Sequence, residues 1–251
     1  MSIIALLTDF GTRDPYVAAV KGVIASRCDA RIEDLTHEIA PFDIFGAAWF
    51  LRSIIDYWPA DTIFVVVVDP GVGTSRKILA AERDGKILLA PDNGALSLVI
   101  EPPVISVEHE SFFLPNGSTT FHGRDRFAPV AAAIASGMKL DDLGPRADEI
   151  VRLAYTPPHY GNDAIEGTLV ATDRYGNLIT DIDASKIGFP SFALRAGWHV
   201  VDRIERSYGD AKDGVFMIAG SSGCIELSVA NASAADVLQL RRGDRVTITP
   251  R

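Results

Sequence analysis

An acid and a cation flank a glycine turn in this chain. Asp69-Pro70-Gly71-Val72-Gly73-Thr74-Ser75-Arg76 follows the apolar run Val65-Val66-Val67-Val68. A carboxylate and a guanidinium in one neighbourhood can bind a polar ligand or orient and polarise a water molecule. Pro70 and the two glycines make a tight turn whose backbone can approach a ligand closely. Asp9, after residues 3–7, and Asp92, after Ala90-Pro91, also end apolar runs and are closely followed by glycine. Three acids at the ends of neighbouring strands point to a shared cleft at the rim of a sheet. Helix capping and turn formation are the alternative, above all for Asp92 before Asn93-Gly94. A second polar cluster, His122-Gly123-Arg124-Asp125, precedes a helical segment. Its histidine can be structural or can serve acid–base chemistry, and Arg124 and Asp125 can pair with other charges.

Several familiar sites are excluded. Gly71-Val72-Gly73 lacks the lysine and hydroxyl residue of a P-loop, and Arg76 stands where a dinucleotide fingerprint needs its third glycine. A metal site built from Asp9, Asp69, His122 and Asp125 stays open, although no HExxH or comparable spacing supports it. No GxSxG elbow appears, nor a cysteine nucleophile in a recognisable context.

The elements that must position these residues alternate in type up to about residue 150. Strands are expected at residues 3–7, 31–35, 63–68 and 104–107, with a hairpin of 78–82 and 86–90 around Asp84-Gly85. Helices are expected at 15–27, 42–58 and 126–136, and a short one opening at Asn93-Gly94. Such alternation implies a mostly parallel sheet flanked by helices. After Pro157-Pro158 the helical period disappears. Short β runs at 166–172, 178–180, 192–194, 199–201, 215–219, 224–229 and 245–249 imply an all-β, barrel-like module. The fold class is therefore α/β followed by a smaller all-β domain, with domains at residues 1–157 and 164–251. In the second, Asp173-Arg174-Tyr175-Gly176-Asn177 and Gly220-Ser221-Ser222-Gly223 are polar turns, and ordinary turn chemistry accounts for both.

The formal charge of −9 over 251 residues argues against non-specific nucleic-acid binding. No apolar run approaches a membrane span, and the N-terminus reads as a strand rather than a signal peptide. Two distant cysteines, Cys28 and Cys224, fit a reducing, cytoplasmic compartment.

Taken together, the motifs resemble the S-adenosylmethionine hydroxide adenosyltransferases (S-adenosylmethionine hydrolases), relatives of fluorinase and chlorinase. The markers are Thr8-Asp9-Phe10-Gly11, Asp34-Leu35-Thr36-His37, Asp69-Pro70-Gly71-Val72-Gly73, Ala90-Pro91-Asp92-Asn93-Gly94, Thr120-Phe121-His122-Gly123-Arg124-Asp125, Asp173-Arg174-Tyr175-Gly176-Asn177 and Ser221-Ser222-Gly223, spread over nearly the whole chain. The resemblance implies attack of water or hydroxide on ribose C5′ of S-adenosylmethionine, releasing adenosine and L-methionine, with no cofactor and no metal. It implies a homotrimer whose sites lie between the N-terminal domain of one subunit and the C-terminal domain of the next. Its catalytic trio falls on Asp69, Arg76 and His122, which the halogenases lack. Asp9 would hold the ribose hydroxyls, and Tyr16, Phe42 and Phe121 join the substrate-binding set. Asp173 would take the methionine ammonium, Tyr175 would stack on adenine, Asn177 would read its edge, and Ser221 would help hold the amino-acid end. Phe42, Ser222 and Asn231 stand where the fluorinase has tryptophan, arginine and alanine. The rival functions are a metal-dependent hydrolase using Asp9, Asp69 and His122, and a non-catalytic S-adenosylmethionine or adenosine sensor.

Overall fold

The computed structural model describes residues 2–251, in two compact units that divide between Ala154 and Tyr155, just before the double proline. The first unit holds strands β1 (Ile3–Thr8), β2 (Arg31–Thr36), β3 (Thr62–Val67), β4 (Ile78–Arg83), β5 (Lys86–Pro91), β6 (Val104–Ser106) and β7 (Arg146–Ala147). They form one sheet in the order β2-β1-β3-β5-β4-β6-β7. The stretch β2-β1-β3-β5 is parallel, and β4, β6 and β7 extend it antiparallel. The hairpin expected around Asp84-Gly85 joins β4 to β5, with positive φ at both turn residues.

Helices α1 (Tyr16–Ala25), α2 (Ile44–Ile54) and α3 (Ala128–Ala135) cover the sheet. β3 shows why. Its Ile63, Val65 and Val67 enter a core with Val20 and Ile24 of α1 and Ala131 and Ile134 of α3. Phe64 and Val66, and Val68 just beyond the strand, enter a second core with Ala47 and Leu51 of α2. A strand apolar at every position from Ile63 onward suits a sheet covered on both faces.

Three expected helices differ from what forms. α2 starts at Ile44 rather than Phe42, because Asp43 caps it by accepting from the Gly46 amide at 3.0 Å. Phe42 is left outside with φ 68°. α3 is preceded by a π-helical turn, Gly123–Phe127, that carries the polar cluster. The residues after Asn93 make irregular turns instead of a helix. Asn93 Nδ2 donates to the Val68 carbonyl, its Oδ1 accepts from the Ala95 amide, and Gly94 sits at φ +101°.

The second unit holds β8 (His159–Tyr160), β9 (Ile165–Thr172), β10 (Leu178–Asp183), β11 (Phe192–Ala196), β12 (His199–Val201), β13 (Val215–Ala219), β14 (Cys224–Val229) and β15 (Arg245–Pro250). Their order is β12-β11-β15-β9-β10-β14-β13, with β8 on β9, and every pairing is antiparallel. Beyond β12 the chain returns to β13: Met217 N donates to the Arg203 carbonyl, and Glu205 N donates to the Met217 carbonyl. The sheet thereby joins its two ends around one core, including Leu178, Leu194, Met217, Leu227 and Ile248. A short helix that the sequence reading did not anticipate, α4 (Ala234–Leu238), is capped by Ser233, whose side chain accepts from the Asp236 amide. Among the described residues no helix is long and apolar enough to cross a membrane.

Phe64 is fully buried. Phe64→Ala is expected to lower the unfolding free energy by about 3–5 kcal/mol, measured by urea denaturation. A loss under about 1 kcal/mol would mean that the α2 face of the sheet is not a packed core.

Candidate active site

β1, β3 and β5 are neighbours, so Asp9, Asp69 and Asp92 lie near the carboxyl ends of adjacent parallel strands. Their side chains do different things. Asp92 accepts from the Val151 amide at 2.8 Å and ties a later loop to the sheet, a tether between distant segments rather than the capping or turn role offered by its sequence context. Asn93 holds the carbonyl of Val68, the residue before Asp69, and so fixes the end of β3.

Asp69 and Arg76 meet across the glycine turn. Arg76 Nε lies 2.9 Å from both carboxylate oxygens, and Nη2 also donates to Oδ2. The side chains are only 5% and 8% exposed, so the pair is held out of water. Arg76 also lies over the ring of Phe127, 5.5 Å from its centroid. Gly73 makes the geometry possible. It has φ +83°, and a Cβ there would stand 2.6 Å from the Thr119 carbonyl oxygen. The turn therefore packs backbone to backbone on the segment that leads into His122.

His122 completes the cluster. Arg76 Nη2 lies 2.8 Å from His122 Nδ1. A guanidinium only donates, so Nδ1 accepts and the imidazole proton sits on Nε2. Burial, then the charges of Arg126 and Arg76, pull the His122 pKa down to about 4, so the ring is neutral at pH 7. Two buried donors remain without a partner: His122 Nε2 and Arg76 Nη1. Unpartnered buried donors are costly and call for a polar acceptor from outside the chain.

His122 flanks the π-helical turn and Asp125 lies within it, and the two do different things. Asp125 accepts from Arg124 at 2.6 and 2.9 Å and from the Ser118 amide at 2.7 Å, so it braces the preceding loop. The Arg124 bond, first, and the Ser118 bond hold its carboxyl below the usual range against the effect of burial. Gly123 is closely packed, since a Cβ there would meet Phe10 at 3.0 Å and Phe121 at 3.3 Å and press on both rings. Phe10, Tyr16 and Phe121 form a ring cluster with centroids 5.1–6.0 Å apart. Asp9 accepts from the Phe42 amide at 2.8 Å, and Phe42 itself is 70% exposed. The carboxylates of Asp69 and Asp125 are thus engaged by arginines. Among the described residues no group of three or more His, Cys, Asp or Glu is arranged to hold a metal ion.

In the second unit, Asp173 organises its own turn. Oδ1 accepts from the amides of Tyr175 and Asn177, and Oδ2 accepts from Asn177 Nδ2 at 2.8 Å. The second N–H of the Asn177 amide reaches Tyr208 Oη at 3.4 Å, and Tyr208 donates to Glu226 at 2.9 Å. Both amide hydrogens point inward, which leaves Oδ1 as the group to accept from a ligand. Tyr175 is 78% exposed. Asn231 adopts φ 54° in the turn before α4, and Ala235 N donates to the Gly176 carbonyl, so these two turns abut. Ser221 and Ser222 are exposed beside Gly220, whose α-carbon lies against the Glu226 carboxylate. Tyr208 and Glu226 were missed in the sequence. Cys224, Glu226 and Ser228 alternate with Ile225, Leu227 and Val229, the pattern of a strand with one wet face. Glu226 is nevertheless buried, and burial, first, pushes its carboxyl pKa up.

Comparison with known proteins gives concordant matches. Residues 4–144 match the family model described as SAM hydroxide adenosyltransferase N-terminal domain, and 167–247 match its C-terminal domain. The chain is 36% identical to "(R)-S-adenosyl-L-methionine hydrolase" of Thermus thermophilus, over 97% of this chain and 98% of that one. It is 29% identical to a fluorinase of an Actinoplanes species over 74% of each chain. The crystal structure of an uncharacterized conserved protein from Thermotoga maritima superposes with a TM-score of 0.91 at 34% identity, covering 98% and 99% of the two chains.

The low His122 pKa has a thermodynamic consequence. The unfolded chain takes up a proton near pH 6.5, the folded chain only near pH 4. Stability from this residue is complete above pH 6.5 and falls as the pH drops toward 4. Between pH 7.5 and 5.0 the loss is on the order of 2 kcal/mol. Urea titrations of wild type and His122→Gln at both pH values should differ by that amount. An equal pH dependence in the two proteins would refute it.

Proposed function

The chain belongs to the SAM hydroxide adenosyltransferase family, and from that membership we propose that it hydrolyses S-adenosyl-L-methionine to adenosine and L-methionine at the Asp69–Arg76–His122 cluster. The observation that carries this reading is the pair of buried, unpartnered donors, Arg76 Nη1 and His122 Nε2, beside an ion-paired carboxylate. They suit an oxygen nucleophile. Asp69 accepts a hydrogen from a water molecule, while the two donors face its oxygen and stabilise hydroxide character. His122 donates rather than accepts, because its Nδ1 is occupied by Arg76 and its Nε2 carries the proton. Asp69 is then the group toward which the water's proton moves.

The oxygen attacks C5′ in line with the carbon–sulfur bond. The C5′–O bond forms, the C5′–S bond breaks, and its electron pair returns to sulfur. The sulfonium leaves as a neutral thioether and needs no general acid. The reaction asks mainly for a positioned, partly desolvated nucleophile. Phe10, Tyr16 and Phe121 supply aromatic surface that excludes bulk water and favours the sulfonium charge. Asp9 holds the two ribose hydroxyls, and the exposed ring of Phe42 flanks them.

The second unit reads the ends of the ligand. Tyr175 stacks on the purine, Asn177 Oδ1 accepts from a purine N–H, and the backbone near Asn231 contacts the same ring. Asp173, with Ser221 and Ser222, holds the amino-acid end, the ammonium falling to the carboxylate. In a cytoplasmic homotrimer each complete site takes its first-unit residues from one subunit and its second-unit residues from the neighbour.

Incubation with S-adenosylmethionine in ¹⁸O-labelled water should place the label in the adenosine 5′-hydroxyl. Label absent from released adenosine would reject attack by water at C5′. Asp69→Ala should reduce turnover at least about 100-fold with adenosine affinity little changed, and normal turnover would reject its role. Asp9→Ala should weaken substrate and adenosine alike. Mixed Asp69→Ala and Asp173→Ala subunits should recover activity if sites are shared between subunits. No recovery after subunit exchange would refute sharing.

A further inference from the structure

The geometry points to Thr8 and His37 as positioning residues for Asp9, forming a clamp at the ends of β1 and β2. This rests on the reading of Asp9 as the ribose-diol ligand. The Asp34-Leu35-Thr36-His37 segment has no role in the chemistry above, yet His37 is 4% exposed and Thr8 2%. Thr8 Oγ1 lies 2.8 Å from His37 Nδ1 and also accepts from the Phe10 amide at 3.2 Å. The His37 carbonyl accepts from the Gly11 amide at 2.8 Å. The two residues after Asp9 are therefore both pinned, one by Thr8 and the other by His37, and Thr8 is itself tied to the imidazole.

The strand register explains how His37 gets there. β1 and β2 run in step from Ile3 opposite Arg31 to Leu6 opposite Asp34, and then Leu7 faces Thr36. Leu35 is the extra residue. Such a bulge bends a strand end and re-aims its side chains. Behind the ring, His37 Nε2 lies 3.0 Å from Asp34 Oδ1. Asp34 is in turn held by Lys21 of α1 at 2.5 Å. The clamp thus ties the Asp9 loop to β2 and, through Asp34, to α1.

Asp9 needs this support because the loop that carries it is short and its carboxylate must meet two hydroxyls at once. A bidentate contact tolerates little displacement. The Phe42 amide steadies the carboxylate from one side, and the clamp steadies the backbone on the other.

The test compares adenosine with 2′-deoxyadenosine by calorimetry on the full chain. Wild type should prefer adenosine, and Thr8→Val and His37→Ala should each narrow that preference by about three- to tenfold, with KM rising more than kcat falls. Thr8→Ser keeps the hydroxyl and should restore the preference. Thr8→Val keeps volume and branching, so it carries the test should His37→Ala fail to fold. An undiminished preference in Thr8→Val overturns the clamp while leaving Asp9 its role. No preference in the wild type overturns the Asp9 reading, and the clamp with it.

Discussion

A guanidinium taken out of water must be matched on its charged edge, and Arg76 is matched by Asp69. Much of the first unit's local architecture serves that match. The acid is fixed by a strand buried on both faces, and the cation returns through a turn that only glycine at position 73 permits. His122 then meets the remaining Nη2 edge and so has its tautomer chosen for it. Removing one partner would leave a buried charge unmatched. The cluster is therefore as much a folding constraint as a chemical one, and the π-helical turn is the local irregularity that accommodates it.

The second unit works by a different principle. Its turn from Asp173 to Asn177 is held by its own carboxylate, so the surface it offers is set before any ligand arrives. The inward direction of the Asn177 amide hydrogens follows from the acids behind it, Asp173 directly and Glu226 through Tyr208. The orientation of this amide is thus decided by residues behind the surface it faces.

What could be read from the sequence was what has a local signal. The β3 run, the Asp84-Gly85 hairpin and the strands after residue 160 declare themselves through apolar periodicity and turn residues. Asp69, Arg76 and His122 stood out as residue types at strand and helix ends, and the structure brings them together. The helix expected after Asn93 failed because the asparagine side chain bonds the Val68 carbonyl at the end of the neighbouring strand β3. Helix α4 was hidden because its length gives no period to detect. Glu226 and the His37 clamp were invisible for a related reason. An acid in an alternating strand and a histidine after a strand look wet until the tertiary structure buries them.

The position of Asp69 two residues beyond a fully buried strand also bears on how activity is lost. β3 pairs with β1 on one side and β5 on the other, and side chains on both its faces lie in closed cores. Freeing it means dismantling the sheet, so its amides are expected in the slowest class of hydrogen exchange. The Asp69 carboxylate is thereby coupled to global stability. Mild heat or denaturant should loosen peripheral loops well before this acid moves, and inactivation through Asp69 should coincide with unfolding of the whole unit.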